Sequence, residues 1–181
     1  MDAVGFLELS SIAKGIEAAD AILKAADVDL VLSNPTCPGK YSILFTGDVA
    51  AVSASLDAGK FVGDVTVIDS TIIPRIHPQV IKAMSIATSS DGINAIGIME
   101  FFSITASVYA ADAAVKAADV DLLEVRLGSG IGGKSFVLLT GEVSSVKASI
   151  DAGTMSDNAK GFLVSSVVIP RPHKQLSLQL L

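Results

Sequence analysis

The residues of this chain best equipped for chemistry sit in two loops. Asn34-Pro35-Thr36-Cys37-Pro38-Gly39-Lys40 holds the only cysteine among 181 residues, and Gly128-Ser129-Gly130-Ile131-Gly132-Gly133-Lys134 occupies the corresponding stretch further along. A cysteine thiolate is a soft metal ligand, although lone cysteines are most often buried and inert. Pro35 and Pro38 stiffen the first loop and hold the thiol in a set direction. One thiol cannot hold a metal cluster, but rotational symmetry multiplies ligands. A threefold axis through this tip gathers three thiolates, most of the ligand set of an iron–sulfur cluster. From the residues alone, the incidental thiol and the shared ligand both stay open.

With Ser135, the second loop satisfies both G-x-x-x-x-G-K-S and G-x-G-x-x-G. Those patterns bind phosphate by aiming backbone N–H groups and a helix N-terminus at it, so a helix must follow the glycines. Phe136-Val137-Leu138-Leu139 follows instead, a strand-like run. The loop therefore reads as a flexible hairpin tip that permits close backbone approach between subunits. His77 and His173 follow the Pro-Arg pairs Pro74-Arg75 and Pro170-Arg171 and have no Cys, Asp or Glu at metal-ligand spacing. A helix cap or a surface contact suits them. Lys24 and Lys116, and likewise Arg75 and Arg171, occupy matching positions, which suits either a solvated face or a repeated interface.

The matching positions exist because the chain is written twice. Val4 to Leu30 returns as Ile96 to Leu122 at an offset of 92, Thr46-Gly47-Asp48 as Thr140-Gly141-Glu142 at 94, and Ile73-Pro74-Arg75 as Ile169-Pro170-Arg171 at 96. Each copy has the size of a small domain, giving domains 1–90 and 91–181 with a seam near Ala87 to Asn94. Within one copy, Val4 to Leu9 reads as a strand, and Ser10-Ser11 as the cap of a helix to Ala26 whose buried stripe is Ile12, Ile16, Ala19, Leu23 and Ala26. Val28–Leu32 and Tyr41–Phe45 form a hairpin around the loop. Asp48 caps a second helix, Val49 to Ala58, that Gly59 terminates, and Val65 to Ile73 is a last strand stopped by Pro74. The order β-α-β-β-α-β is that of a ferredoxin-like α+β sandwich, present in tandem.

A net charge of −6 excludes a nucleic-acid partner, which needs a basic stripe. No run of about eighteen apolar residues is free of charges, so a membrane helix is not expected. The start Met1-Asp2-Ala3 lacks the basic region of a secretory signal, and a single cysteine fits a reducing cytoplasm. With 50% hydrophobic residues, the chain has more apolar surface than two small cores hide, and the excess points to subunit contacts.

Glu17-Ala18-Ala19-Asp20-Ala21 running to Lys24-Ala25-Ala26-Asp27-Val28, the Thr46-Gly47-Asp48 turn with Asp57-Ala58-Gly59, and Ile169-Pro170-Arg171-Pro172-His173 resemble bacterial microcompartment shell proteins over essentially the whole chain. The tandem, unpermuted order resembles the shell proteins that form homotrimers shaped like hexamers. Cys37-Pro38-Gly39-Lys40 and the glycine loop look closest to the PduT-type iron–sulfur subgroup of propanediol-utilisation compartments. That resemblance implies a non-enzymatic shell subunit in the bacterial cytoplasm. It implies one [4Fe-4S] cluster per trimer, ligated by Cys37 of each subunit, for electron transfer or cluster exchange across the shell. The cysteine and glycine loops then surround the central pore, and Lys24, Lys116, Arg75 and Arg171 lie at the shell edges. Other shell proteins and an encapsulated redox enzyme are the implied partners. A metal-free pore for small metabolites is the rival reading.

Overall fold

A computed structural model describes residues 3–85 and 92–180. Residues 86–91 hold the expected domain boundary at 90/91, so that boundary lies outside the described residues. The chain divides into two compact units, Met1–Ile76 and His77–Leu181.

In the first unit the order is β1 (Ala3–Leu9), α1 (Ile12–Ala25), β2 (Asp29–Thr36), β3 (Lys40–Gly47), α2 (Val49–Gly63) and β4 (Val67–Pro74). The strands form one antiparallel sheet in the order β2-β3-β1-β4, the arrangement expected of a ferredoxin-like sandwich. The helix starts follow the sequence signals. Ser11 accepts the Lys14 N–H at the head of α1, and Asp48 accepts the Ala51 N–H at 2.7 Å at the head of α2.

Two details of the sequence reading are corrected. The buried stripe of α1 is Gly15, Ala18, Ala19 and Ile22, while Ile12, Ile16 and Leu23 are exposed at 41, 57 and 45%. Small residues face the sheet because the helix packs close: a Cβ on Gly15 would run into the Tyr41 ring. Gly59 does not end α2, which runs on to Gly63. Its missing side chain instead admits Ile22 and Leu7, whose atoms lie 2.7 to 2.9 Å from where a Cβ would be.

The second unit repeats the pattern with β5 (Ala95–Phe101), α4 (Ile104–Ala117), β6 (Val120–Leu127), β7 (Ser135–Gly141), α5 (Val143–Met155) and β8 (Leu163–Ile169), in the sheet order β6-β7-β5-β8. It also contains two seven-residue helices absent from the sequence reading, α3 (Pro78–Met84) and α6 (Lys174–Leu180). His77 and His173 cap them, each ring Nδ1 accepting the N–H two residues on, at 3.3 Å. The expectation of a cap thus holds, but the helices behind the caps are too short for the 3.6-residue period to announce.

Candidate functional site

The cysteine tip is tighter than the sequence suggests. β2 runs through Asn34, Pro35 and Thr36, and β3 begins at Lys40, so only Cys37-Pro38-Gly39 link the strands. The Gly39 N–H closes the turn on the Thr36 carbonyl at 2.9 Å, with Gly39 at φ 96°, a conformation glycine adopts without penalty. The Cys37–Pro38 peptide is cis. Cys37 is a free thiol, partly buried at the turn, beside exposed Pro38 and Gly39. Thr36 is buried, its hydroxyl 3.0 Å from Ser42 Oγ.

Directly behind the turn, Lys40 Nζ donates to Glu8 Oε2 at 2.9 Å, and Glu8 is only 6% exposed. The second unit repeats the pair, Lys134 Nζ to Glu100 Oε1 at 2.5 Å. Both loop lysines therefore carry a compensated charge. Glu8, Glu100 and Ser42 were not among the candidate residues, yet Glu8 and Glu100 stand at the same offset of 92 that revealed the repeat. A charge pair kept in both copies was the available signal.

The glycine tip keeps its expected length, Gly128 to Lys134, between β6 and β7. Gly128, Gly130, Gly132 and Gly133 all have φ between 68 and 80°. A strand follows the glycines, so no helix N-terminus faces them and the phosphate-binding patterns lack their working part. Below this tip Phe136 takes the place of Ser42, with the Arg126 guanidinium 5.4 Å from its ring centroid. The two tips thus differ in floor as well as in length.

Lys24 and Lys116 lie on equivalent faces of α1 and α4, each paired at 2.5 Å with the aspartate four residues earlier, Asp20 and Asp112. Arg75, at φ 52°, and Arg171 are exposed just past β4 and β8. The structure brings the first tip's residues together and the second tip's together, each within its own unit. Among the described residues no group of three or more His, Cys, Asp or Glu could hold a metal ion within one chain.

The BMC domain family matches residues 3–76 and 95–172, most of the chain and both repeats. The chain belongs to the bacterial microcompartment domain family. Each BMC match runs from the first strand of a unit past its last, so the two domains are in unpermuted order. The chain is 43% identical to the bacterial microcompartment shell protein PduT of Citrobacter freundii over 98% of its length and 97% of that protein's. A solved microcompartment protein from Desulfitobacterium hafniense DCB superposes with a TM-score of 0.93 at 55% identity, covering 97% of this chain and 98% of that one. A single-domain relative, the shell protein EutM of Escherichia coli K12, is 41% identical over 46% of this chain and 84% of its own length. This BMC protein is a structural component of a microcompartment shell in the bacterial cytoplasm. No helix among its described residues is long and apolar enough to cross a membrane.

Proposed function

We propose that the chain forms a homotrimeric, hexamer-like shell tile in which Cys37 of three subunits meets at the central opening and holds one [4Fe-4S] cluster. The observation that carries this reading is the placement of the chain's only cysteine as a free thiol on a three-residue hairpin turn, in the one loop that differs sharply between the repeats. The donor set fits the group in kind, because thiolate is the ligand iron–sulfur clusters take. It fits in number only across subunits, since each chain supplies one.

In this reading the protein's own parts have separate tasks. The turn aims the Cys37 thiol, and the Thr36–Ser42 hydroxyl pair fixes the strands beneath it. The Lys40–Glu8 and Lys134–Glu100 pairs keep net charge low around the opening, and the glycine tip frames it without offering a ligand. The cluster, when bound, supplies one-electron chemistry, and three protein thiolates leave one of its irons open to a non-protein ligand or redox partner. The task is electron transfer or cluster exchange across the shell, with no enzymatic turnover. Other shell proteins surround the tile, and an encapsulated redox enzyme is its electron partner.

Cys37→Ser tests the ligand. Prepared without oxygen, the variant is expected to lose the iron and the brown colour of the wild type while sedimenting as the same trimer. A serine hydroxyl has too high a pKa to replace thiolate well. Iron retained in full by the variant contradicts the assignment.

A further inference from the structure

The second sheet carries on one face a cavity whose counterpart in the first sheet is closed. On β5, Ile96, Ile98 and Glu100 alternate with Gly97, the residue that packs against Val146 and Ile150 of α5, so they point to the opposite face. There Leu180 of α6 packs against the cluster of Ile96, Leu123 and Leu138. Between sheet and helix lies a cavity of about 340 Å³, walled by Ile98, Phe136 and Leu138 on one side and by Leu176 and Leu180 on the other.

The polar lining of this cavity is two carboxylates, Glu100 and Glu124. In the strand register Glu100 stands across from Phe136, and Glu124 across from Leu138. Each spends one oxygen on a nearby cation. Lys134 Nζ donates to Glu100 Oε1 at 2.5 Å, and Arg126 Nε donates to Glu124 Oε1 at 2.6 Å. Among the described residues, Oε2 of each carboxylate has no partner. The two side chains are 32 and 19% exposed, so a molecule in the cavity reaches them. The first sheet offers neither part. Phe6, Leu44 and Ile73, the counterparts of Ile98, Leu138 and Ile169, are at most 3% exposed. Leu32, Asn34 and Ser42 stand where the second copy has Glu124, Arg126 and Phe136. The cavity and its second carboxylate thus belong to one copy and not to the fold in general.

We propose that this cavity is a binding site for a small aliphatic molecule whose polar end is a neutral hydrogen-bond donor, in its simplest form a primary alcohol. The aliphatic chain lies against Ile98, Leu138 and Leu180, and the hydroxyl donates to Oε2 of Glu100 or Glu124. Apolar walls with a few convergent polar groups are what small-molecule sites are built from, and the volume falls in their range of about 300–1,000 Å³. The charges of Glu100, Lys134, Glu124 and Arg126 cancel, so a neutral donor leaves the balance undisturbed, whereas an anionic end meets two carboxylates. All these residues belong to the second unit, so the site stands whether or not three chains share a cluster.

The test is a titration of the full-length protein with n-hexanol and with hexanoate, read by methyl NMR. Hexanol is expected to shift the methyl signals of Ile98, Leu138 and Leu180 along a saturating curve, and hexanoate to bind more weakly by about tenfold or more. Hexanol shifts that rise without saturating, or that spread over the whole chain, overturn the site. Hexanoate binding as tightly as hexanol overturns the assignment of the polar end. Both readings use the wild type and so decide the matter without any variant. Ile98→Trp fills the cavity floor at a position already partly exposed, and is expected to remove the saturating shifts while keeping the wild-type far-ultraviolet circular dichroism. A folded Ile98→Trp protein that binds hexanol as the wild type does also overturns the site.

Discussion

Lys40 and Lys134 follow the two hairpin tips and would, as free cations, make the surroundings of the tips attractive to anions. Each is instead held by a glutamate from the first strand of its unit. The two pairs differ in burial, with the Glu8 side chain 8% exposed and that of Glu100 32%. Removing the lysine strands the carboxylate, and a buried acceptor left without its partner costs about 1–3 kcal/mol. Lys40→Ala is therefore expected to lower unfolding free energy by about that amount, and Lys134→Ala by clearly less, in urea denaturation followed by circular dichroism. Equal losses would show that burial of the glutamate is not what sets the effect. At this scale the sequence exposed the special residues by difference, one cysteine in one copy, but hid Glu8 and Glu100, whose partners lie 32 and 34 positions away.

Helix α1 shows how far an element could be read from its pattern. Its limits came out to within a residue, because Ser11 caps it and the apolar spacing is helical. Its buried face came out a step away in phase, because the large residues Ile12, Ile16 and Leu23 outweigh Gly15, Ala18 and Ala19 in any hydrophobic count. Close packing reverses that weighting, since the smallest side chains let helix and sheet approach. The same closeness explains Gly59 and Gly153, matching interior positions of α2 and α5. An alanine there gains about 1 kcal/mol of helix propensity but overpacks the core at about 1–3 kcal/mol. Gly59→Ala is expected to lower the melting temperature, and Gly153→Ala to lower it more. Around Gly153 the Ala110 carbonyl oxygen, 2.9 Å from the added carbon, is backbone and yields less than the Ile22 and Leu7 side chains around Gly59. A rise in melting temperature for either variant would show that the close approach is not maintained in solution. The helices α3 and α6 escaped notice for the opposite reason: seven residues make too short a window for periodicity, although His77-Pro78 at a helix start was a readable sign.

At the scale of the whole molecule, the repeat carried the fold: two copies of β-α-β-β-α-β gave the tandem α+β architecture, and the sheet orders match it strand for strand. What the sequence does not carry is the arrangement of several chains, and the proposed trimer concerns that level. For tiling, the duplicated Lys24 and Lys116 are proposed edge contacts. The double variant Lys24→Ala, Lys116→Ala is expected to stay trimeric, because each lysine pairs with an aspartate one turn back on its own helix, and the exposed Lys24–Asp20 pair contributes less than about 1 kcal/mol. It is expected to lose sheet formation in electron micrographs, and undiminished sheets would remove these lysines from the edge. The central claim, that three chains share one cluster through Cys37, is met most directly by native mass spectrometry of protein purified without oxygen, with iron and sulfide measured on the same sample. The account predicts a species of three chains plus one [4Fe-4S] cluster, four irons and four sulfides for every three cysteines. Trimers free of iron and sulfide contradict it, and would leave Cys37 as a thiol lining an opening for metabolites.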